Sequence, residues 1–394
     1  MTTKKFVEYF GGPAKVPRVH LEGQNEPVAA IWPDTAPLTR PNPKTAEASL
    51  SDSTDTRTVR ARKFVILSAG TFGTPLLLER SGIGDRKVLE EAGVPVLHHL
   101  PMIGCNFQDH QCCLFTYESK ALPEDTFKSI YNGTRSVPEL MAGGDMILSW
   151  NGVDASAKIR PTESEVKSMG PNFENAWNAH YRSTPAKPLA CMILINGILT
   201  DPSIFPQGEQ YFTICYLFYD AHWQQHISGP HIDQQPDFRT GYLTDPNDID
   251  LEIQVWAYKK QREIARRMSH LRIEIPDQHP DFPQGSKVRC NTDSVLHIPT
   301  EKSIEYSEQD DEMINEFIYG KVGTTSHPIG MCEMASMEDM GIVDERLSVH
   351  GVKGLKIADL SIVPENVSGN TMSTALLIGE RAADIFAEDL KLES

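Results

Sequence analysis

Between Arg62 and Gly84 the chain reads Arg-Lys-Phe-Val-Ile-Leu-Ser-Ala-Gly-Thr-Phe-Gly-Thr-Pro-Leu-Leu-Leu-Glu-Arg-Ser-Gly-Ile-Gly. Four consecutive apolar residues, Phe64 to Leu67, follow a charged lead-in and close on the small residues Ser68, Ala69 and Gly70. A short unbroken apolar run closed by glycine is the pattern of a buried strand in a parallel sheet, so a doubly wound sheet is expected here. Helix is expected from Thr74 to Arg80, opened near Pro75, whose missing N–H is harmless in a first turn. A second helix is expected from Arg86 to Ala92, stopped by Gly93 and Pro95. Small residues at the strand end, Ala69 and Gly70 among them, also let backbone approach a ligand closely.

The stretch from Ser326 to Asp389 has a different kind of content. It places His327 after an extended run, Asp359 and Ser361 after the strand-like Leu355-Lys356-Ile357, and Asn370-Thr371-Met372 at the start of an apolar-striped helix of about four turns. Such an order can converge a base, a polar anchor and a helix N-terminus on one ligand. Taken alone, a histidine in a Pro-Gly context is an ordinary loop residue, and Asp-x-Ser is an ordinary capped turn.

Trp32 to Thr58 is rich in Pro, Thr, Ser, Asp and Ala and reads as a loop or insertion. From Leu114 to Ile318 the character shifts to longer polar segments with many prolines. Tyr211 to Tyr219 mixes aromatic and β-branched residues, as a strand of a mixed or antiparallel sheet would. Helices are expected over Val255–Met268 and Asp311–Ile318. The return to strand, loop and helix after Lys353 implies that the chain re-enters its first domain. The expected organisation is a discontinuous domain, 1–113 with 340–394, into which 114–339 is inserted.

The chain has 394 residues and a formal net charge of -17, a field that repels nucleic acid and anionic membrane surfaces and suits a neutral small-molecule substrate. Seven scattered cysteines with no CxxC pair read as reduced thiols, with no disulfide frame and no metal site. The first residues lack a secretory apolar core, and no stretch approaches about 18 uncharged apolar residues. An intracellular, by default cytoplasmic, protein is expected. Asn132-Gly133-Thr134 fits a glycosylation acceptor, but without a secretory route it reads as a surface turn.

Gly70 to Gly84 is similar, over all its defined positions, to the second signature of the glucose-methanol-choline (GMC) family of FAD-dependent oxidoreductases, G-[ST]-x-x-[ST]-P-x-L-L-x-x-S-G-I-G. Gly104-Cys105-Asn106-Phe107-Gln108-Asp109-His110 resembles the G-x-N-F-Q-D-H run that follows in the family, where His110 reads as structural. Ile159-Arg160-Pro161-Thr162, Val255 to Met268 and Val352 to Lys356 resemble the fungal alcohol (methanol) oxidase branch. The resemblance implies that His327 is the catalytic base for a primary alcohol and that Asn370, 43 positions later, hydrogen-bonds the substrate oxygen. It implies that hydride passes to flavin N5, then to O2 or another acceptor. Ala69, Gly70, Asp359, Ser361, Asn370, Thr371 and Met372 would contact FAD, the last helix favouring the reduced flavin's negative charge. Peroxisomal placement is known in the branch, but Lys391 to Ser394 is not a peroxisomal signal. The resemblance leaves a homo-oligomer open.

Family members open with a strand, a G-x-G-x-x-G turn and a helix. This sequence contains no such glycine spacing. The expected fold is therefore α/β with α+β: a partial Rossmann-like FAD-binding domain, its first βαβ missing, and an inserted mixed-sheet substrate domain. Two readings follow, an FAD-dependent alcohol oxidoreductase seen through its C-terminal two-thirds, or a truncated, catalytically inactive GMC-like binding or subunit-interaction module.

Overall fold

The computed structural model describes residues 61–131, 133–206, 208–219, 224–290, 292 and 303–392, with the backbone of three short strands at 18–20, 29–33 and 56–60. Asn132 and its glycosylation reading lie outside the described residues. The chain forms two compact units, one of 1–109, 221–240 and 327–394, the other of 110–220 and 241–326. The expected single insertion 114–339 differs in three respects: 221–240 and 327–339 group with the first unit, and 110–113 with the second.

In the first unit the apolar run forms strand β4, Val65–Leu67. It pairs in parallel with β15, Leu355–Ile357, in the register Val65↔Leu355 to Leu67↔Ile357. Leu67, Leu355 and Ile357 are buried in one core with Leu77, Leu78, Ala382 and Ile385, while Ile66, of opposite pleat, is 44% exposed. Helix α1 spans Gly70–Arg80 and so begins four residues before Thr74, with Pro75 inside it. The early start has a tertiary cause, the Asp359 carboxylate described below. At Gly82 (φ +82) a Cβ would lie 2.5 Å from the Pro95 carbonyl, so only glycine fits this turn. Helix α2, Arg86–Glu91, is capped by Asp85, whose carboxylate accepts from Lys87 N at 2.9 Å and Val88 N at 3.3 Å. Strands β1 (Arg18–His20), β2 (Ala29–Pro33) and β3 (Thr56–Arg60) form a small antiparallel sheet. The ends of the expected 32–58 loop are thus strand, and the rest of it lies outside the described residues.

The second unit is built on an antiparallel sheet whose strands lie in the order Leu271–Glu274, His110–Ser119, Gln210–Tyr219, Ala190–Ile195 and Val153–Ile159. Its centre is β7, His110–Ser119, against β10, Gln210–Tyr219, paired residue for residue from His110↔Tyr219 to Ser119↔Gln210. The flanking strands are β8 (Val153–Ile159), β9 (Ala190–Ile195) and β13 (Leu271–Glu274). Helix α3, Ile249–Arg267, and helix α4, Glu308–Lys321, contribute Trp256, Tyr258 and Ile314 to a core with Phe115, Tyr117 and Tyr216 of the sheet. Both helices begin earlier than their apolar pattern suggested. Asp245 accepts from Ile249 N and Asp250 N at the first, and Ser307 with Asp310 forms a capping box at the second. His110 is fully buried in β7. All seven cysteines are free. Among the described residues no helix is long and apolar enough to cross a membrane.

Candidate functional site

The candidate site lies within the first unit, around the loop that carries His327. The backbone N–H of His327 donates to Asp109 Oδ1 at 2.9 Å. The next residue's carbonyl, Pro328 O, accepts from Thr71 Oγ1 of α1 at 2.8 Å. Ile329 then forms a two-way backbone bridge with Gln108, and Gly330 N donates to Leu360 O. Gln108 continues the lattice: its Nε2 donates to Pro364 O at 2.8 Å and its Oε1 accepts from Asn366 N at 2.9 Å. The Asn106-Phe107-Gln108-Asp109 run is therefore the template that fixes the His327 loop. Sequence reasoning weighed His110 in this run and missed Asp109, the neighbour that reaches the histidine; its signal was the acid standing just before His110.

His327 is half-buried. Burial lowers the imidazole below its ordinary range, and the Asp109 charge opposes that shift only in part. The ring is accordingly neutral at physiological pH, the state in which it can accept a proton.

The expected cofactor contacts Ala69, Gly70, Asp359 and Ser361 form one hydrogen-bonded knot. Asp359 Oδ2 accepts from Gly70 N at 3.0 Å and from Thr74 Oγ1 at 2.6 Å, while its Oδ1 accepts from Ser361 N at 2.8 Å. Thr74 Oγ1 also accepts from Ala69 N at 3.1 Å. Asp359 thus caps α1 across the parallel strand pair, satisfying N-terminal N–H groups that have no intrahelical partner.

Asn370, Thr371 and Met372 open the last helix, α5, Met372–Leu390, whose nineteen residues exceed the expected four turns. Thr371 is the N-cap residue, yet its side chain makes no capping bond and the first turn holds no acidic residue. Asn370 and Met372 are exposed beside it. The first N–H groups of this end have no intrahelical partner and carry its partial positive charge, a donor set that fits an electron-rich ring or developing anion. Among the described residues no cluster of His, Cys, Asp or Glu could hold a metal ion.

Comparison with known proteins gives the chain its family. Residues 43–112 and 226–379 match the two GMC oxidoreductase family models. The chain is 35% identical over 381 residues to alcohol oxidase 1 of Komagataella phaffii, covering 84% of this chain and 57% of that one. It is 35% identical over 392 residues to the alcohol oxidase of Candida boidinii, covering 86% and 59%. A solved fungal aryl-alcohol oxidase superposes with a TM-score of 0.65 at 19% identity, over 95% of this chain and 60% of the other. The chain belongs to the GMC oxidoreductase family and lies on the side of its fungal alcohol oxidases. It spans rather more than half the length of these relatives.

Proposed function

We propose that this chain is the larger, C-terminal part of an FAD-dependent oxidase of primary alcohols, with O2 or another small acceptor as the terminal oxidant. The observation that carries the reading is His327: its backbone is fixed by Asp109 while burial keeps its imidazole neutral. The imidazole accepts the hydroxyl proton of the alcohol, and the Asn370 amide holds the alcohol oxygen. FAD, when bound, supplies the two-electron acceptor that takes hydride from the alcohol carbon. Gly70 and Ala69, set by Asp359, offer close backbone approach; the N–H groups at Thr371 and Met372 favour negative charge placed before them. In this reading the first unit is the remnant of the FAD-binding domain, and the second is the substrate-binding domain. The retained base, its anchor and the open helix end speak against an inactive binding module.

The test joins this chain behind the opening segment of the Komagataella phaffii relative, which we expect to supply the pyrophosphate-binding turn. Expected is a yellow protein that consumes oxygen on addition of a primary alcohol; flavin bound at unit stoichiometry without alcohol turnover would overturn the proposal. The 394-residue chain by itself, having no G-x-G-x-x-G turn, should be purified colourless.

A further inference from the structure

The first unit has a strand edge that its own fold leaves open. Strand β4 pairs with β15 and, among the described residues, with no other strand. Val65 N donates to Gly354 O and Leu67 O accepts from Ala358 N, so these two residues face β15. By the alternation of a parallel ladder, the N–H and C=O of Ile66 point to the opposite edge. The outer edge of β15 is occupied: Val349 N donates to Leu355 O, and Ile357 N to Leu347 O. Val65 to Ala69 carries no charge and no proline, the devices that protect an edge from pairing. Ile66, Ser68 and Ala69 are exposed, whereas parallel strands are ordinarily covered on both faces.

Helix α5 is uncovered on the same side. Ile378, Ala382, Ile385 and Phe386 turn to the core of the unit. Met372, Leu376, Gly379 and Ala383, spaced four, three and four residues apart, form a second row that is exposed, Met372 at 74% and Leu376 at 65%. Two contacts fix which way this row faces. Glu388, on the far flank of the buried row, reaches Arg346 at 3.2 Å, next to the segment that covers β15. Phe386, on the near flank, packs against Phe64 at the head of β4, with ring centroids 5.4 Å apart. The exposed row therefore lies on the open-edge side of β4. A row of this spacing, with two small residues in it, is a face against which a second helix packs. Because the later turns of α5 sit at the head of β4, its N-terminal end at Thr371 lies toward the other end of the strand, where Asp359 binds Gly70.

We propose that the open edge of β4 and the uncovered row of α5 form one docking surface for a separate polypeptide, a strand that continues through a glycine turn into a helix. The strand adds to β4 through the N–H and C=O of Ile66, and the helix lies along Met372, Leu376, Gly379 and Ala383. A strand parallel to β4 ends beside Gly70 and Asp359, so its turn falls at the N-terminal end of α5. The choice of a parallel strand and a glycine turn rests on the proposed function; the open edge and the uncovered row do not. A second copy of this chain is the poorer occupant, because it brings its own charge of -17 to a partner of the same charge.

The experiment co-expresses the 394-residue chain with a tagged opening segment of the Komagataella phaffii relative, of whose length this chain spans 57%. The two should co-purify one to one, and a titration of the separated partners gives the dissociation constant. Ile66→Pro removes the donor at the open edge and leaves the β15 ladder in place. Leu376→Glu sets a charge in the uncovered row. Each should raise the dissociation constant by at least about 10-fold. Leu376→Glu alters an exposed position, so it should keep the wild-type urea midpoint, which separates lost binding from lost folding even if Ile66→Pro fails to fold. No co-purification, a complex that Leu376→Glu leaves at wild-type strength, or self-association of the chain that Ile66→Pro abolishes would each overturn the inference. The readout involves no turnover. An active joined enzyme with no complex between separate chains counts against the docking surface alone, and a complex beside an inactive joined enzyme counts against the proposed function alone.

Discussion

His327 is held at two points with different consequences. The Asp109 bond goes to its backbone N–H, so it fixes where the ring starts. Burial then lowers the imidazole, which moves the acid limb of any reaction needing the neutral base below the ordinary histidine range. In the joined, flavin-containing enzyme, His327→Ala should cut alcohol oxidation by about 10² or more with flavin retained; unchanged turnover removes His327 from the mechanism. Asp109→Asn is the finer probe. Its amide oxygen can still accept from His327 N, while the charge that opposes the downward shift is lost. The acid limb of kcat/KM should therefore move further toward low pH in Asp109→Asn. A limb that moves upward would mean that Asp109 does not act on the imidazole by its charge.

At the scale of elements, the start of α1 depends on a residue 289 positions away. The Asp359 carboxylate bonds Gly70 N, Thr74 Oγ1 and Ser361 N at once. Asp359→Ala should destabilise the chain without any flavin present by about 1–3 kcal/mol, the cost of leaving helix-end and turn donors without a partner. Urea unfolding of the 394-residue protein reads this directly, and equal midpoints would leave Asp359 a cofactor contact only. The same residue explains what was and was not legible beforehand. The apolar run Val65–Leu67 announced a parallel strand because an unbroken apolar run closed by small residues is a local signal, although Ile66 on the opposite pleat is exposed. The helix start was misplaced toward Pro75 because its cap is tertiary, and a local pattern carries no trace of it. The grouping of 221–240 with the first unit was hidden likewise: it depends on Glu79 meeting His226 and Ile227, and on Phe238 packing edge-on at 5.1 Å against Phe72 and Phe107. His327 was found through resemblance to a family pattern, whereas Asp109 could be assigned only when the backbone brought the two together.

The whole molecule carries a charge of -17, yet the acid response of its stability should be set by a few buried groups. In the core of the second unit Arg262 and Arg266 both clasp Glu274, with Nε–Oε1 distances of 2.8 and 2.9 Å. Desolvation disfavours the Glu274 charge, and the two guanidiniums overcome it and hold the carboxyl well below its usual range. His279 lies in the same core, with its Nδ1 3.2 Å from the Tyr258 hydroxyl. Burial, then repulsion from Arg262, lowers it to about 3, with Glu274 opposing. Between about pH 6.5 and pH 3 the unfolded chain therefore holds a proton at this histidine that the folded chain does not. Stability must fall as pH falls through that window, by up to about 1.4 kcal/mol per pH unit from this one group. Glu274 adds a loss of the same sign only below its ordinary range. The raised His226 contributes oppositely, its stabilisation being complete below about 6.5 and lost as pH rises toward 10. From pH 6.5 to 5 the carboxyls that burial raises, Glu79 among them, also contribute, but they do so in both proteins, so His279→Asn should flatten the slope by close to one proton's worth even if the variant is less stable at every pH. Urea midpoints followed by tryptophan fluorescence at steps across this range give the slope. If wild type and His279→Asn run parallel, His279 is not held neutral in the folded core.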